Sequence, residues 1–246
     1  MINNNPRVRQ WAATVVFAAF VQPVAAAVYT AGDAAELIAA INDANTTVAV
    51  DVIELTDDVV LTAVDNVVNG PNALPAVVTP IVVVGNGHAI ARDAAAPAFR
   101  LFLVDGSFGV SGDLTLDGLT LAGGDSTPGA GGLPASPCFS DLSVFGGAAL
   151  VRGGSLTLRN GASVEANQAY QGGGLFNAFG RMSNSDSTLA GNSAEFGGAI
   201  ASLGANGVPA LAIERSTFSD NEAVGSGGAI LNRSMMNITD STFDGN

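Results

Sequence analysis

Residues 218–230 read FSDNEAVGSGGAI, and the same phrase recurs along the second half of the chain. A close copy is LAGNSAEFGGAI at residues 189–200, a looser one is VEANQAYQGGGL at residues 164–175, and a fourth begins with FDGN at residues 243–246. The asparagines of successive copies are 25, 29 and 25 residues apart. Repetition at such a period indicates a chain of stacked structural units, so the repeat decides the architecture.

Each unit contains short segments of alternating apolar and polar residues, separated by Gly, Asn, Ser or Asp. Leu156–Leu158, Leu211–Ile213 and Met236–Ile238 are matching segments of this kind. One unit cannot bury its own apolar side chains, whereas stacked units can, with parallel strands about 4.8 Å apart. Because parallel crossovers are normally right-handed, the sequence predicts an all-β fold over residues 48–246, a right-handed parallel β-helix of the pectate-lyase-like type.

The residues that recur in the phrase are predicted to be structural. Within a coil, Leu211, Ile213 and Phe218 should point inward. Asn is suited to turns and bonds to neighbouring backbone, and amides stacked in successive coils can bond to each other as a ladder. A row of sugar- or ion-binding amides is the alternative. The paired glycines should allow a positive φ and close backbone contact. The repeated asparagines are Asn167, Asn192, Asn221 and Asn246.

Residues 1–27 are predicted to be an export signal. Arg7 and Arg9 provide a basic start, and Trp11–Val21 is an apolar run that is shorter than a membrane-spanning helix requires. Small residues before position 28 suit cleavage after Ala27. The alternative is an N-terminal anchor that is retained. After cleavage, no segment is expected to span a bilayer.

Residues 28–47 are predicted to form an N-terminal capping helix, from Tyr29 to Asn45, with Thr30 or Asp33 as the N-cap. Apolar residues recur on one face at helical spacing, at Leu37, Ile38, Ile41 and Ala44. A lone amphipathic helix before a series of strands suggests a lid over one end of the stack, where strand edges and core would otherwise be exposed.

From Val48 onward the pattern becomes strand-like. Strands are predicted within residues 48–55, 59–64, 81–84 and 99–104, and Leu114–Leu121 is predicted to be the first coil of the repeat. Asp125–Ser143 contains three prolines and several glycines, so it is predicted to be a loop that leaves the stack. The last repeat stops at Asn246 without a cap, as it would in a fragment of a longer protein.

Composition excludes several functions. The 246 residues include 22 acids, nine arginines and no lysine, giving a net charge of −13. Nucleic-acid binding needs basic patches, and this charge would repel anionic membranes and polymers. The single cysteine, Cys138, cannot form an internal disulfide, and a catalytic thiol would need an activating group such as the only histidine, His88. Both residues are predicted to lie in loops or turns.

The recurring phrase resembles the repeats of polymorphic outer-membrane proteins and related exported right-handed β-helix proteins. The match is carried by GGAI at residues 197–200 and 227–230, with FSDN at 218–221 and FDGN at 243–246, and it extends from about Phe145 to the end. The resemblance implies secretion or exposure at the cell outer membrane, an adhesin-like role, and a host surface, a neighbouring cell or a glycan as partner. Such proteins often carry a C-terminal anchoring module, which this sequence is expected to lack because it stops within a repeat.

The favoured hypothesis is an exported surface or secreted protein with a structural, adhesin-like role and no catalytic activity. The alternative is a polysaccharide lyase or hydrolase of the pectate-lyase-like class. Hydrolysis requires two carboxylates about 5–10 Å apart, for which Asp113 with Asp117, or Asp220 with Asp244, can be paired on paper. These acids are interpreted as solvated turn residues. No catalytic, cofactor-binding or metal-binding residue is assigned, and calcium binding and oligomeric state are left open.

Overall fold

A computed structural model describes residues 25–106, 112–128, 142–204 and 209–246. Within these ranges the chain forms 24 strands and one helix, and every named strand pairs in parallel with the equivalent strand of an adjacent coil. The strands lie in four sheets that the chain visits in turn, over about six coils. The predicted right-handed parallel β-helix is confirmed. Most of the predicted signal, together with Cys138, lies outside the described residues.

The sheets are numbered here in the order in which one coil passes through them. The first sheet contains β1 (Val28–Ala31), β2 (Asp51–Leu55), β4 (Pro80–Val84), β7 (Asp113–Asp117), β11 (Ser155–Arg159), β15 (Arg181–Ser185), β19 (Pro209–Glu214) and β23 (Met235–Thr239). The second sheet contains β3 (Val59–Leu61), β5 (Ala89–Arg92), β8 (Thr120–Ala122), β12 (Ser163–Glu165), β16 (Thr188–Ala190), β20 (Thr217–Ser219) and β24 (Thr242–Asp244).

The remaining two sheets are shorter. The third sheet contains β9 (Asp125–Ser126), β13 (Gln168–Gln171), β17 (Ser193–Phe196) and β21 (Glu222–Ser226). The fourth sheet contains β6 (Phe102–Asp105), β10 (Ala149–Arg152), β14 (Leu175–Ala178), β18 (Ile200–Leu203) and β22 (Ile230–Asn232).

The core is a set of side-chain columns that run along the stack. Alternation within each strand turns every second residue inward, and parallel register places inward residues of successive coils on top of each other. Leu211, Ile213 and Phe218 are buried, as predicted. Phe218 also stacks on Phe243 of the next coil, with ring centroids 4.7 Å apart. Stacking thus buries residues that a single coil would leave exposed.

The repeated asparagines form the predicted ladder. The Asn167 side-chain nitrogen donates to Asn192 Oδ1 at 3.0 Å, Asn192 donates to Asn221 Oδ1 at 2.9 Å, and Asn221 donates to Asn246 Oδ1 at 2.7 Å. Each Oδ1 also accepts the backbone N–H of the preceding Asn at 3.1 Å. Each side-chain nitrogen donates further to a carbonyl of the preceding coil, as Asn192 does to Val164 O at 2.9 Å. One amide therefore links three consecutive coils.

Positive backbone φ angles allow the corner that holds this ladder. The residue before each Asn adopts φ between +52° and +66°, rather than the Asn itself. In the GGAI phrase, Gly197 has φ +66°, and a Cβ on Gly198 would clash with the carbonyl oxygen of Gly228 in the next coil. Both predicted uses of the glycine pair are therefore present, one at each position.

The N-terminal helix is shorter than the sequence predicts. Val28–Ala31 is not helical but forms β1, which pairs in parallel with β2. The helix, α1, spans Ala34–Ala44 and packs against the first strands of the stack. Asp33 is its N-cap, since Asp33 Oδ1 accepts the N–H of Glu36 at 2.9 Å. The branched and aromatic residues of β1 favour a strand, and its backbone bonds to β2 outweigh an extra helical turn.

The stack begins before the repeated sequence does. Leu114–Leu121 is predicted to be the first coil of the repeat within a β-helix that is predicted from residue 48, and β2 pairs in register with β4, as β4 does with β7. Leu114–Leu121 is itself two strands, β7 and β8, separated at Gly118, which has φ +60°. The early coils lack both the GGAI phrase and the ladder asparagine, so the sequence predicts their strands as part of the β-helix without indicating their register.

One inward position carries an unpaired polar side chain. Asn184 is 1% exposed and lies in register between Leu158 and Ile213. Among the described residues, neither atom of its amide has a hydrogen-bond partner. A buried amide without partners destabilises a fold by about 1–3 kcal/mol, so this site should weaken the stack.

Replacing the central ladder residue tests the ladder. Asn192→Ala removes the acceptor of the Asn167 backbone N–H and one donor each to Val164 O and Asn221 Oδ1 in a buried corner, and should lower the free energy of unfolding by about 3 kcal/mol. The matched control is Asn246→Ala, whose site is exposed to water and should cost under about 1 kcal/mol. Urea denaturation of both variants measures the difference, and equal costs would contradict the ladder's role.

Replacing the unpaired amide should have the opposite effect. Asn184→Leu restores an apolar column between Leu158 and Ile213 and should raise the free energy of unfolding by about 1–2 kcal/mol. The control is Asn177→Leu, which removes a buried amide that accepts from Gly180 N at 2.9 Å and donates to Ser202 Oγ at 3.2 Å. That variant should lose stability in the same urea titration. If Asn184→Leu also loses stability, Asn184 has a partner in solution.

Candidate functional site

The fourth sheet is apolar on both faces. Phe102 and Val104 of β6 point into the main core, whereas Leu103 between them belongs to a second cluster. This outer apolar cluster comprises Leu103, Leu142, Val144, Phe145, Leu150, Phe176, Ala178, Ala201 and Leu203. Part of it therefore comes from the end of the predicted Asp125–Ser143 loop and the residues directly after it. Residues 125–126 also depart from the prediction, because they form β9 of the third sheet.

A buried arginine fixes the segment that follows this loop. Arg100 is fully buried, and its guanidinium donates to Leu142 O at 2.8 Å, Phe145 O at 2.7 and 2.9 Å, and Gly146 O at 3.0 Å. On its other side it donates to Asn72 Oδ1 at 2.8 Å and to Asn69 O at 3.3 Å. Burial lowers the pKa of Arg100 to about 9, so the group stays charged at neutral pH. Carbonyl dipoles therefore take the place of a carboxylate partner.

The sequence analysis predicts no structural role for Arg100. The available signal was its position inside the apolar run Phe99–Val104. Arginine is almost never fully buried unless its donors are satisfied, so an arginine in such a run indicates an internal network. The network holds residues 69–72 and 142–146 against the same part of the stack.

Beside this region, the third sheet presents a polar row on its outer surface. Parallel register aligns Asp125, Gln168, Ser193 and Glu222 in four successive coils, at the strand spacing of about 4.8 Å. Gln168 and Glu222 are exposed, and the other two are half-buried. Gln168, Ser193 and Glu222 border a groove of about 330 Å³, called here the third-sheet groove, and Asp125 is bonded to Gln168 beside it.

Hydrogen bonds to Asp125 hold the two groove residues that lie nearest to it, Thr127 and Gln168. Asp125 Oδ1 accepts from the Thr127 backbone N–H at 2.9 Å and from its hydroxyl at 2.7 Å, and Asp125 Oδ2 accepts from Gln168 Nε2 at 2.9 Å. Gln168 is thereby oriented by its amide nitrogen. Among the described residues, Gln168 Oε1, Ser193 Oγ and the Glu222 carboxylate have no partner. The groove therefore offers mainly hydrogen-bond acceptors along one line, over buried Ala169 and Ala194.

Aromatic rings lie next to the groove but are already packed. Tyr170, two residues beyond Gln168 on β13, stacks on Phe145 at 6.4 Å and meets Phe196 edge-on at 5.8 Å between ring centroids. Phe145 in turn stacks on Phe176 at 4.5 Å. The rings thus join the groove to the outer apolar cluster, and recognition at the groove would depend on hydrogen bonds more than on a free aromatic face.

The two carboxylate pairs considered for hydrolysis differ in their arrangement. Asp113 and Asp117 are the two ends of β7, so at about 3.3 Å per residue they lie about 13 Å apart. Asp117 is also engaged by Arg159 Nε at 2.7 Å and Asn160 Nδ2 at 2.9 Å. Asp220 and Asp244 lie on adjacent coils and are exposed, and the Asp220 N–H donates to Asp244 O at 3.0 Å.

The other titratable groups also have structural surroundings. His88 follows the Asn86-Gly87 turn, and its Nδ1 lies 3.4 Å from Asp58 Oδ1. Within the described ranges, no group of three His, Cys, Asp or Glu side chains is placed to hold a metal ion. The helix that is described there is also too short to span a membrane.

Most of the described arginines form contacts within the protein. Five of the seven arginines among the described residues bond to acids or carbonyl oxygens: Arg92, Arg100, Arg152, Arg159 and Arg215. Arg215 bonds Asp186 at 2.8 Å through two nitrogens, and this contact lowers the pKa of Asp186. The other two, Arg181 and Arg233, are exposed on different coils. The described surface therefore lacks a basic patch for an anionic polymer.

No protein-family model matches the chain, and neither does any curated protein or any solved structure. The candidate site is therefore defined by its own geometry.

Removing the buried guanidinium tests how the region beside the groove is held. Arg100→Met removes the charged donor from five acceptor oxygens, of which Leu142 O keeps the Phe145 N–H and Gly146 O keeps the Ser126 hydroxyl. The change should lower the free energy of unfolding by about 3–5 kcal/mol, the usual cost of breaking a buried charged network. Arg100→Lys should restore only part of it, since one ammonium cannot replace the planar fork.

Hydrogen exchange of residues 69–72 and 142–146 gives the local readout, which should increase in Arg100→Met. The matched control, Arg181→Met, removes an exposed arginine and should change stability by less than about 0.5 kcal/mol. Unchanged exchange in both segments of Arg100→Met would contradict the assignment.

Proposed function

We propose that the protein is exported and serves at the cell surface or in the surrounding medium as a non-catalytic, adhesin-like β-helix. The observation that carries this proposal is that buried polar residues bond to one another, whereas polar residues of the groove are open to solvent. The repeated asparagines are buried and bonded to one another, so they hold the coils together. In the third-sheet groove, by contrast, Gln168 Oε1, Ser193 Oγ and the Glu222 carboxylate are free to bond a ligand on the outside of the stack.

The family resemblance supports the same proposal. The GGAI phrase and its asparagine, which carry the resemblance to polymorphic outer-membrane protein repeats, lie at corners of the coils. The export signal predicted at residues 1–27, with its basic start and its apolar run, supports the same proposal. Under this proposal the partner is a host or neighbouring-cell surface, contacted through its glycans.

The chemistry of the groove favours a neutral glycan over a charged ligand. Sugar hydroxyls can donate to Gln168 Oε1, to Ser193 Oγ and to the Glu222 carboxylate, and they can also accept from the serine hydroxyl. An anionic glycan would meet two acids and no base. The row follows the stack axis over four coils, which suits an extended oligosaccharide.

A polysaccharide lyase or hydrolase is less well supported. The distance between Asp113 and Asp117 exceeds the range for paired carboxylates, and five of the seven described arginines are engaged in internal contacts. Asp220 and Asp244 remain the pair on which an enzymatic alternative would depend.

A polysaccharide panel tests binding and turnover together. The mature chain would be titrated with xylan, β-glucan, polygalacturonate and chitosan oligosaccharides, with and without calcium, while released reducing ends and unsaturated products are measured. We expect binding to a neutral member without turnover. The double variant Gln168→Leu with Ser193→Val should weaken that binding at least about tenfold, or about 1.4 kcal/mol.

The control is Thr157→Val on the outer face of the first sheet, which should bind like the parent chain. Binding that is equal in both variants would remove the groove from the proposal. Binding restricted to chitosan and lost in Glu222→Gln would indicate a cationic ligand instead. Turnover abolished by Asp220→Asn or Asp244→Asn would establish the enzymatic alternative.

A further inference from the structure

A buried carboxylate lies at the N-terminal end of the stack. Asp51, the first residue of β2, is fully buried. Its Oδ1 accepts the backbone N–H of Ala27 at 2.6 Å, and its Oδ2 accepts the Thr47 hydroxyl at 2.8 Å. No basic side chain of the described residues pairs with it. A buried carboxylate that lacks a cation carries a desolvation cost of several kcal/mol, so a positive charge is the missing component of this site.

Ala27 is part of the folded strand layer. In addition to its N–H bond to Asp51, its carbonyl oxygen accepts the N–H of Val52 at 2.9 Å. Cleavage after Ala27, as the sequence predicts, would remove both bonds and leave Asp51 with Thr47 alone. Cleavage one residue earlier would keep both bonds.

We propose that export cleavage occurs after Ala26 and that Asp51 binds the new α-ammonium group of Ala27. Hydrolysis breaks the peptide bond between Ala26 and Ala27; water supplies the hydroxyl that leaves a carboxylate on the released peptide. The new amine of Ala27 takes up a proton. The catalyst is the signal peptidase of the export route, for which Ala26 is a small residue at −1 and Val24 is the residue at −3.

This step converts a neutral donor into a cation at hydrogen-bonding distance from Oδ1. A charge-assisted bond is about twice as strong as a neutral one, and it would compensate the buried carboxylate. It would also fasten β1 to β2 at the edge of the first sheet, next to the segment that follows α1. Removal of the signal thereby completes the N-terminal end of the stack.

The inference rests on the proposed export, and the intact mass of the exported protein separates the two. A mass that begins at Ala27 supports the Asp51 site. A mass that begins at Val28 overturns this site while leaving export intact. A retained Met1 overturns the export proposal itself.

The charge pairing is tested on chains that begin at Ala27 with either a free or an acetylated amine. Acetylation keeps the N–H but removes the charge. We expect the acetylated chain to unfold at a lower urea concentration than the free chain, and a chain beginning at Val28 to unfold at a similarly low concentration. In Asp51→Asn, free and acetylated chains should unfold together.

The control is Glu54→Gln, an exposed acid on the same strand, in which acetylation should have its full effect. If Asp51→Asn does not fold, the comparison of the free, acetylated and Val28-initiated chains decides the matter. Identical urea midpoints for the free and acetylated chains with Asp51 in place would overturn the proposal.

Discussion

The second half of the stack depends on a side-chain amide at one corner of each coil, which is buried at Asn167, Asn192 and Asn221. Parallel strand pairing joins neighbouring coils along their sheets, but the chain must turn between the second and third sheets, where backbone groups leave the ladder of strand bonds. A buried backbone group without a partner costs about as much as a lost hydrogen bond. Asn192 meets this need because its carbonyl oxygen serves the preceding coil and its nitrogen serves both neighbours. The preceding residue in a left-handed conformation, Gly191, aims the side chain inward.

The internal hydrogen bonds also determine which polar side chains remain available to a ligand. The asparagines that recur with the coil period bond to one another inside the stack. Most of the described arginines bond to acids or carbonyl oxygens of the protein itself. The net charge of −13 therefore remains largely on the surface. The proposed partner would contact the row of acceptors on the third sheet, which is bordered by a region that Arg100 and the outer apolar cluster hold in place. A surface of this kind selects against anionic polymers and favours ligands that donate hydrogen bonds.

The repeat in the sequence was sufficient to predict the coils from about Phe145 onward, including the ladder and the two uses of the glycine pair. The earlier coils belong to the β-helix predicted from residue 48, but alternation alone carries no register and does not predict which of their strands pair. The helix was predicted to begin too early because a strand such as Val28–Ala31 is selected by its partner across the sheet, which a local pattern does not contain. The third-sheet groove had no sequence signal at all, as Gln168, Ser193 and Glu222 differ in type and meet only when the coils stack. Asn184 likewise looked like any polar residue until its register placed it between Leu158 and Ile213.

The central claim is that backbone amides at this corner are bonded to side chains of the next coil. Hydrogen exchange measured by NMR for the backbone N–H groups of Asn167, Asn192 and Asn221 tests it most directly. The account predicts that these three amides are protected as strongly as the amides of adjacent strands, although they lie between the second and third sheets. Exchange at the rate of an exposed turn would contradict the ladder and, with it, the account of how the coils are joined.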